Sequence, residues 1–247
     1  IQHKKIAESL FSALKSGKAL PPITVTYPDI NIDDAYKISL AFLDLRVVKN
    51  NEKIVGKKIG VTSKAVQDML GVFQPDFGFL TDGMAVLDGR VNLDYLISPR
   101  AEAEIAFKLH TDLKGPGITG KDVLDATQYI QPCFEIVDSR ILDWKIKIQD
   151  TVADNASCGV FILGDKKVNP NDLDMASLEV VVEKNGIVIS RGMSSSVQGS
   201  PENAVAWLAN TLGKYGIPFL AGETILSGSL VPLEPVDGQP CAQSLHF

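Results

Sequence analysis

The sequence is poor in the residues that most often carry metal or redox chemistry. It has three cysteines and three histidines among 247 residues. Cys133, Cys158 and Cys241 are widely spaced and form no Cys-x-x-Cys pair. This pattern excludes the usual zinc spacings and predicts reduced thiols in a cytoplasmic protein, without a disulfide framework. The scarcity of histidine also weakens any mechanism that needs an imidazole base.

Several function classes lack their usual sequence features. No run of about 18 uncharged apolar residues is present, so no membrane-spanning helix is expected. The N-terminus has no basic segment followed by an apolar one, as a secretion signal would have. The net charge of −6 argues against a nucleic-acid partner, which needs a basic surface. Neither a Gly-x-Gly-x-x-Gly fingerprint nor a Gly-x-x-x-x-Gly-Lys loop supports nucleotide binding.

What the sequence does contain is a strictly alternating segment over residues 99–109, which predicts a half-buried β-strand. Its apolar face is formed by Ala101, Ala103, Ile105, Phe107 and Leu109. Glu102 and Glu104 lie two residues apart on the other face, close enough to bind one ion. Two like charges at that separation repel unless something positive lies between them. From this segment alone, a solvated strand face is the simpler interpretation, and both stay open.

A third acid, Glu135, lies in the run 130–137, a second predicted strand bounded by Pro132. A carboxylate embedded in such an apolar run is costly unless it is paired, protonated or bound to a metal. Two interpretations are therefore open. Glu135 forms an ion pair with a base such as Arg140 or Arg100, or it is a metal ligand.

Residues 53–62 predict another strand, in which Lys58 shares a face with Gly56 and Gly60. Glycine on both sides leaves space for another group to approach the lysine. Asp76 follows a proline at the start of a later strand, where an aspartate commonly only stabilises a turn. For both residues the simpler interpretation is structural, and a catalytic role is the alternative.

The remaining pattern predicts an α+β fold, a mixture of short strands and a few helices. Helices are expected over residues 1–17, from 32 to 45, over 63–70, from 119 to about 129, and from 201 to 216. Further short strands and turns are expected over 81–95, a polar connection over 139–150, and a loop of small hydrogen-bonding residues over 151–159. We expect a single domain over 1–247, with an N-terminal helical portion (1–70) and a β-rich core (71–247).

Taken together, these segments resemble the 2-keto-4-pentenoate (2-hydroxypentadienoate) hydratases of the fumarylacetoacetate hydrolase superfamily. The resemblance is carried by Val55-Gly56-Lys57-Lys58-Ile59-Gly60-Val61-Thr62, Gln74-Pro75-Asp76-Phe77-Gly78, Glu102-Ala103-Glu104, Glu135, Val152-Ala153-Asp154-Asn155-Ala156-Ser157-Cys158-Gly159 and Leu226-Ser227-Gly228. It extends to about Pro235. The family's final Gly-x-Gly-Ser signature is missing from residues 236–247, so closure of the last sheet is an open point.

The resemblance implies a mixed β-sheet roll or sandwich of the superfamily's C-terminal-domain type. It implies that Glu102, Glu104 and Glu135 hold one Mg²⁺ or Mn²⁺, which agrees with an all-oxygen ligand set. The implied reaction is hydration of 2-hydroxypenta-2,4-dienoate to 4-hydroxy-2-oxopentanoate in the meta-cleavage degradation of aromatic compounds. In it, Lys58 and Asp76 would move protons or position water, and Ser157, Ser227 and Ser229 would bind the substrate carboxylate.

Two rivals accompany this interpretation. The first is 2-oxo-3-hexenedioate (4-oxalocrotonate) decarboxylase, which resembles the hydratase and uses the same three carboxylates. The second is a metal-binding partner subunit without turnover. The resemblance also implies a homo-oligomer and a complex with the pathway's decarboxylase, and the expected ligand is a small 2-hydroxydienoate or 2-oxo acid.

Overall fold

The computed structural model describes residues 2–236 and 243–246. The helices are α1 (His3–Ser16), α2 (Ile23–Thr26), α3 (Ile32–Lys49), α4 (Lys64–Leu70), α5 (Gly120–Ala126), α6 (Ile148–Ala153) and α7 (Pro201–Gly213). The strands are β1 (Ile54–Gly60), β2 (Asp76–Thr81), β3 (Pro99–Leu109), β4 (Thr127–Asp138), β5 (Cys158–Leu163), β6 (Glu179–Lys184), β7 (Ile187–Met193), β8 (Thr224–Leu226), β9 (Glu234–Pro235) and β10 (Gln243–His246).

The main sheet is mixed and has seven strands. Six of them run in the order β2-β1-β8-β3-β4-β5, and β9 pairs with the start of β3. All of these pairs are antiparallel except β1 with β8, which is parallel. A second sheet has the order β10-β6-β7. The α+β class, predicted from the pattern of short strands, is confirmed, and so is the mixed sheet that the resemblance implies.

Local signals explain several elements. The side chain of Asn31 accepts the Asp34 N–H while the Asp34 side chain accepts the Asn31 N–H, a capping box that begins α3. At the start of α4 the Ser63 side chain accepts the Val66 N–H, and Gly71 ends the helix with a φ of 68°. In the β6–β7 hairpin, Asn185 and Gly186 both have positive φ, as a two-residue hairpin turn requires.

Two large hydrophobic layers form most of the core, beside a smaller third cluster. The larger layer lies between the main sheet, helices α5 and α7, and the second sheet, and includes Ile105, Val180 and Leu208. The second packs α1 and α3 against α6, through residues such as Leu10 and Phe42. Helices α1–α3 all lie within residues 1–70, where the N-terminal helical portion is expected. The division at residue 70 stays a prediction, and β1, which precedes it, belongs to the main sheet.

Some predicted elements were wrong. Residues 82–98 contain two short 3-10 turns and no strand. The helix predicted to reach Tyr129 ends at Ala126, where β4 begins at once. The connection over 139–159 contains α6, which was missed. Pro132 lies inside β4. Its carbonyl accepts the Gly164 N–H just past the end of β5. At this edge of the β4–β5 pairing the ladder does not require an N–H from residue 132, so a proline is tolerated.

The structure covers only part of residues 236–247, where the family's final Gly-x-Gly-Ser signature is missing. Residues 237–242, including Cys241, lie outside the described residues, whereas β10 pairs antiparallel with β6. In the part of the chain that is described, no helix has the length and apolar character needed to cross a membrane.

Candidate metal centre and active site

The pairing of β3 with β4 brings three carboxylates together. The two strands are antiparallel, with Glu102 opposite Glu135 and Glu104 opposite Cys133. Because side chains two apart on a strand share a face, all three glutamates project to the same side of the sheet. One oxygen from each of Glu102, Glu104 and Glu135 lies within 4.8 Å of the others. This spacing suits a single divalent cation with oxygen ligands.

These acids do not lie on a solvated strand face, so that simpler interpretation was wrong. Glu104 and Glu135 are fully buried, and Glu102 is half-buried. The burial of Glu104 comes from the segment after β8, where the Gly228 N–H donates to Glu104 Oε2 at 2.9 Å. The next turn of that segment is fixed by the Leu230 N–H, which donates to the Ala103 carbonyl.

Several carboxylate oxygens in this cluster lack partners. Within residues 2–236 and 243–246, no group forms a hydrogen bond with Glu104 Oε1 or with either oxygen of Glu135. Burial raises the pKa of Glu102 to about 7, and it raises the pKa of Glu104 well above its usual value, with the charge of Glu135 adding to both shifts. Buried, mutually repelling carboxylates whose oxygens lack hydrogen-bond donors fit a cation that is both ligand and counter-charge.

The ion-pair interpretation of Glu135 was right in kind but named the wrong bases, and its role as a metal ligand stays a prediction. Neither arginine pairs with it, because Arg140 donates from Nε to Asp154 at 2.6 Å and Arg100 lies over the Trp144 ring. The base nearest to Glu135 is Lys58, whose Nζ lies 3.2 Å from Oε1. A single ammonium leaves most of the charge of three glutamates uncompensated.

Lys58 is itself a buried cation. Its ammonium donates to the Ala156 carbonyl at 3.1 Å and projects from the middle of β1 into the acidic cluster. Burial lowers its pKa, but the charges of Glu135, Glu102 and Asp76 outweigh burial and raise the pKa above its usual value. Lys58 is therefore a fixed positive charge in the structure as it stands.

Asp76 lies beside Lys58 because of a glycine. Gly60 is its register partner on β1, and a Cβ at Gly60 would overlap Asp76 Oδ1 and lie 3.3 Å from Lys58 Nζ. Asp76 is buried, and Oδ1 has no hydrogen-bond partner among the described residues. Burial raises its pKa to about 6, against the opposing charge of Lys58. A carboxyl with that pKa can both release and accept a proton near neutral pH.

The loop between α6 and β5 is shaped by its backbone. Asn155, Ala156 and Ser157 have φ values of 55°, 51° and 52°, three consecutive residues in the left-handed region. The Asn155 side chain accepts from Phe79 N at 2.8 Å and donates to Phe79 O at 2.9 Å, which ties the loop to β2. This arrangement turns the Ala156 carbonyl toward Lys58. Sequence reasoning noted these residues as small and polar but did not predict this anchoring role.

The three predicted carboxylate-binding serines differ in their surroundings. Ser227 is fully buried, and its hydroxyl has no partner among the described residues. The Ser157 hydroxyl lies 3.1 Å from Thr151 Oγ1, and the Ser229 hydroxyl donates to the Val231 carbonyl at 2.7 Å. Ser227 alone of the three thus has a buried hydroxyl free for a ligand. The roles of all three in substrate binding stay predictions.

Arg140 organises the same region and was not predicted to do so. It is fully buried, and besides Asp154 its guanidinium donates to the carbonyls of Asp138, Cys158 and Asp154 at 2.6–2.8 Å. It thereby joins the end of β4 to both ends of the left-handed loop. No local sequence pattern indicated this, because its partners belong to three different elements.

Comparison with known proteins gives close relatives. No family model matches the chain. A 2-hydroxyhexa-2,4-dienoate hydratase from Comamonas testosteroni is 60% identical over 231 residues, covering 92% of this chain and 87% of that protein. A 2-hydroxypent-2,4-dienoate hydratase from Pseudomonas putida is 55% identical over 215 residues, covering 86% of this chain and 96% of that protein.

Solved structures show the same fold. A 4-oxalocrotonate decarboxylase from Pseudomonas putida G7, in complex with magnesium and adipate, is 35% identical and superposes with a TM-score of 0.93, covering 99% of this chain and 92% of that one. A structure from Yersinia pestis CO92 described as a fumarylacetoacetate hydrolase family protein has a TM-score of 0.58 at 14% identity, covering 78% of this chain and 88% of that one. The second likeness concerns the fold alone.

Proposed function

This chain belongs to the 2-hydroxypentadienoate (2-keto-4-pentenoate) hydratase family, and we propose that it adds water to a short 2-hydroxy-2,4-dienoate with the help of a divalent metal ion. For the five-carbon substrate, the product is 4-hydroxy-2-oxopentanoate. The observation that carries the proposal is the cluster of three glutamates next to Lys58 and Asp76, in which Glu104 and Glu135 have buried oxygens without a hydrogen-bond partner among the described residues. Relatives named as hydratases at 41–60% identity support it.

The residues that would hold the metal are Glu102, Glu104 and Glu135, and we assign Mg²⁺ or Mn²⁺ to them. Three carboxylates without a thiolate or imidazole suit a hard cation. When bound, such an ion supplies positive charge that polarises the carboxylate and the C2 oxygen of the substrate. The site residues themselves would orient the substrate and move protons.

The reaction needs two proton movements that these residues could perform. In the first step the dienol loses its hydroxyl proton and gains one at C5, giving an α,β-unsaturated ketone. In the second, water adds its oxygen to C4 while a proton is delivered to C3. Asp76, with a pKa raised to about 6, is the group suited to take and return these protons.

Lys58 would serve mainly as a fixed charge. Because its pKa is raised, it holds its proton and can donate a hydrogen bond to negative charge that develops on the substrate oxygens. Its ammonium donates to the Ala156 carbonyl and lies 3.2 Å from Glu135 Oε1, and these two contacts fix its position. This assigns Lys58 the role of donor and Asp76 the role of acid–base.

A second candidate activity is decarboxylation of 2-oxo-3-hexenedioate. The solved decarboxylase at 35% identity favours it, since that chain shares the whole fold. The higher identity of the hydratases favours hydration. Assaying the monoacid dienoate and the six-carbon diacid side by side, with detection of CO₂, separates the two. Absence of turnover with both would indicate a metal-binding partner subunit instead.

The length of the substrate is a further part of the proposal. The relative at 60% identity is named for the six-carbon hexadienoate and the one at 55% for the five-carbon pentadienoate. Competition between the two dienoates in one assay gives the ratio of kcat/KM values, which decides the preference. We also propose a homo-oligomer, a complex with the pathway decarboxylase and a cytoplasmic location. Size-exclusion chromatography with and without the decarboxylase tests the first two.

A further inference from the structure

The residue that follows β1 has an unusual backbone conformation. Val61 has a φ of 56°, and a β-branched side chain is rarely found in the left-handed region. The strained turn is held by Gln67, whose side chain donates to the Val61 carbonyl at 3.0 Å. Strain of this kind persists only where the surrounding structure enforces it, and it often accompanies a functional site.

The consequence of this turn is the position of Thr62. Its side chain is 6% exposed and packs against Gly228, where a Cβ would lie 2.5 Å from Thr62 Oγ1. Gly228 has a φ of 106° and is the residue whose N–H donates to Glu104. The Thr62 side chain therefore lies against the backbone that contacts a predicted metal ligand.

Two hydroxyls thus flank Gly228, and of these the Ser227 hydroxyl is a fully buried atom without a hydrogen-bond partner among the described residues. Ser227 Oγ precedes it in the chain, and Thr62 Oγ1 lies against it. The Thr62 hydroxyl makes no side-chain hydrogen bond to any residue that the structure describes. Buried hydroxyls normally find a partner, and a hydroxyl pair beside a metal centre suits a bound carboxylate.

We propose that Thr62 is a substrate-binding residue whose hydroxyl, together with that of Ser227, donates to the carboxylate of the bound 2-hydroxydienoate or 2-oxo acid. The proposal rests on the proposed function for the identity of the substrate. The proposal also explains the positive φ of Val61, because an extended residue 61 would not bring Thr62 to Gly228.

The test is the affinity of the magnesium-loaded protein for 2-oxopentanoate, a saturated acid that cannot be hydrated, measured by titration calorimetry. Thr62→Val keeps the shape of the side chain and removes the hydroxyl. We expect it to raise the dissociation constant roughly tenfold to a hundredfold, the effect of one hydrogen bond to a charged group. Thr62→Ser should bind as the wild type does, and the affinity for Mg²⁺ alone should not change.

Thr127→Val is the matched control. Thr127, at the start of β4, is about as buried as Thr62, but its hydroxyl already donates to the Val123 carbonyl of α5. Its affinity for 2-oxopentanoate should equal that of the wild type. If Thr62→Val does not fold, Thr62→Ala compared with Thr62→Ser decides the question in the same way.

Unchanged affinity in Thr62→Val would overturn the proposal. So would a parallel loss of Mg²⁺ affinity, since Thr62 would then only hold Gly228 and Glu104 in place. Failure of the proposed function has a different signature, namely wild-type protein that does not turn over dienoates, whatever its affinity for 2-oxopentanoate.

Discussion

Glu102 and Glu135 are direct partners across the antiparallel pairing of β3 and β4. Like charges placed opposite each other weaken a sheet, and Glu104 adds a third negative group on the same face. The repulsion among these three carboxylates is thus located where a bound cation would relieve it.

Divalent metal should stabilise the protein against unfolding. An ion at one hundred times its dissociation constant contributes about 2.7 kcal/mol, and each kcal/mol raises the Tm of a chain of this size by about 2–4 °C. Scanning fluorimetry across a Mg²⁺ titration measures the shift. Glu135→Gln should abolish most of it, whereas Glu179→Gln, on an exposed glutamate paired with Arg191, should leave it unchanged. An equal shift in both variants would place the ion elsewhere.

The metal-free protein should lose stability as the pH rises. Folding raises the pKa of Asp76 from 3.8 to about 6 and that of Glu102 from 4.5 to about 7. A carboxyl with a raised folded-state pKa contributes stability that is complete below its unfolded pKa and is lost as the pH rises through the folded value. The Tm in EDTA should therefore fall between pH 5 and pH 8.

Metal binding should show the opposite pH dependence, because the ion requires ionised carboxylates. We expect the affinity for Mg²⁺ to rise over the same interval, with protons released on binding. Calorimetry in two buffers of different ionisation enthalpy measures that release. The variant Glu102→Gln should flatten both profiles, and a metal-free Tm that rises toward pH 8 in the wild type would contradict the assignment.

Substitutions of the two adjacent lysines of β1 should have different effects, one on catalysis and the other on stability. Lys58→Met should lower kcat by roughly 10²–10³-fold while Mg²⁺ still binds, since it removes a donor to the negative charge that develops on the substrate. Lys57 lies on the opposite face, where its ammonium pairs with Glu223 at 2.5 Å. Lys57→Met should cost about 3–5 kcal/mol of stability, because it leaves Glu223 buried and unpaired, but activity per folded molecule should survive. Full activity in Lys58→Met would remove that residue from the mechanism.

A single methyl group at Gly60 should disturb the site without unfolding the protein. In Gly60→Ala the new Cβ would overlap Asp76 Oδ1, the end of a side chain that can turn away. We expect activity to fall and the Tm to change little. Gly120→Ala, where the added methyl meets only flexible side-chain atoms of Glu202 and Asn203, is the control and should keep full activity. Equal activities of the two variants would show that the position of Asp76 is unimportant.

The sequence was sufficient where the signal is local. Alternation predicted the limits of β3, and the caps Ser63 and Gly71 predicted those of α4, because periodicity and end signals act within a few residues. Helix α6 was missed because its stability is not local. Its Asp150 accepts hydrogen bonds from the backbone and side chain of Thr24, 126 residues earlier in the chain.

The same distinction applies to the site. The face shared by Glu102 and Glu104 followed from a two-residue period, whereas the burial of Glu104 depends on Gly228, 124 residues away in sequence. Only the three-dimensional structure could show that the base beside Glu135 is Lys58 and not an arginine. Residue types and spacing therefore identified candidate ligands, and only tertiary contacts determined their charge environment.

The left-handed run Asn155-Ala156-Ser157 has a consequence for how mutations would be tolerated. Lys58 is anchored by a peptide carbonyl, which every amino acid possesses, so the identity of residue 156 matters only through its positive φ and the space for a buried side chain. A deep mutational scan scored for growth on an aromatic carbon source should accept glycine at this position and reject valine and isoleucine, which resist a positive φ. At Asn155 the same scan should accept almost no replacement, since few side chains can serve both the N–H and the carbonyl of Phe79.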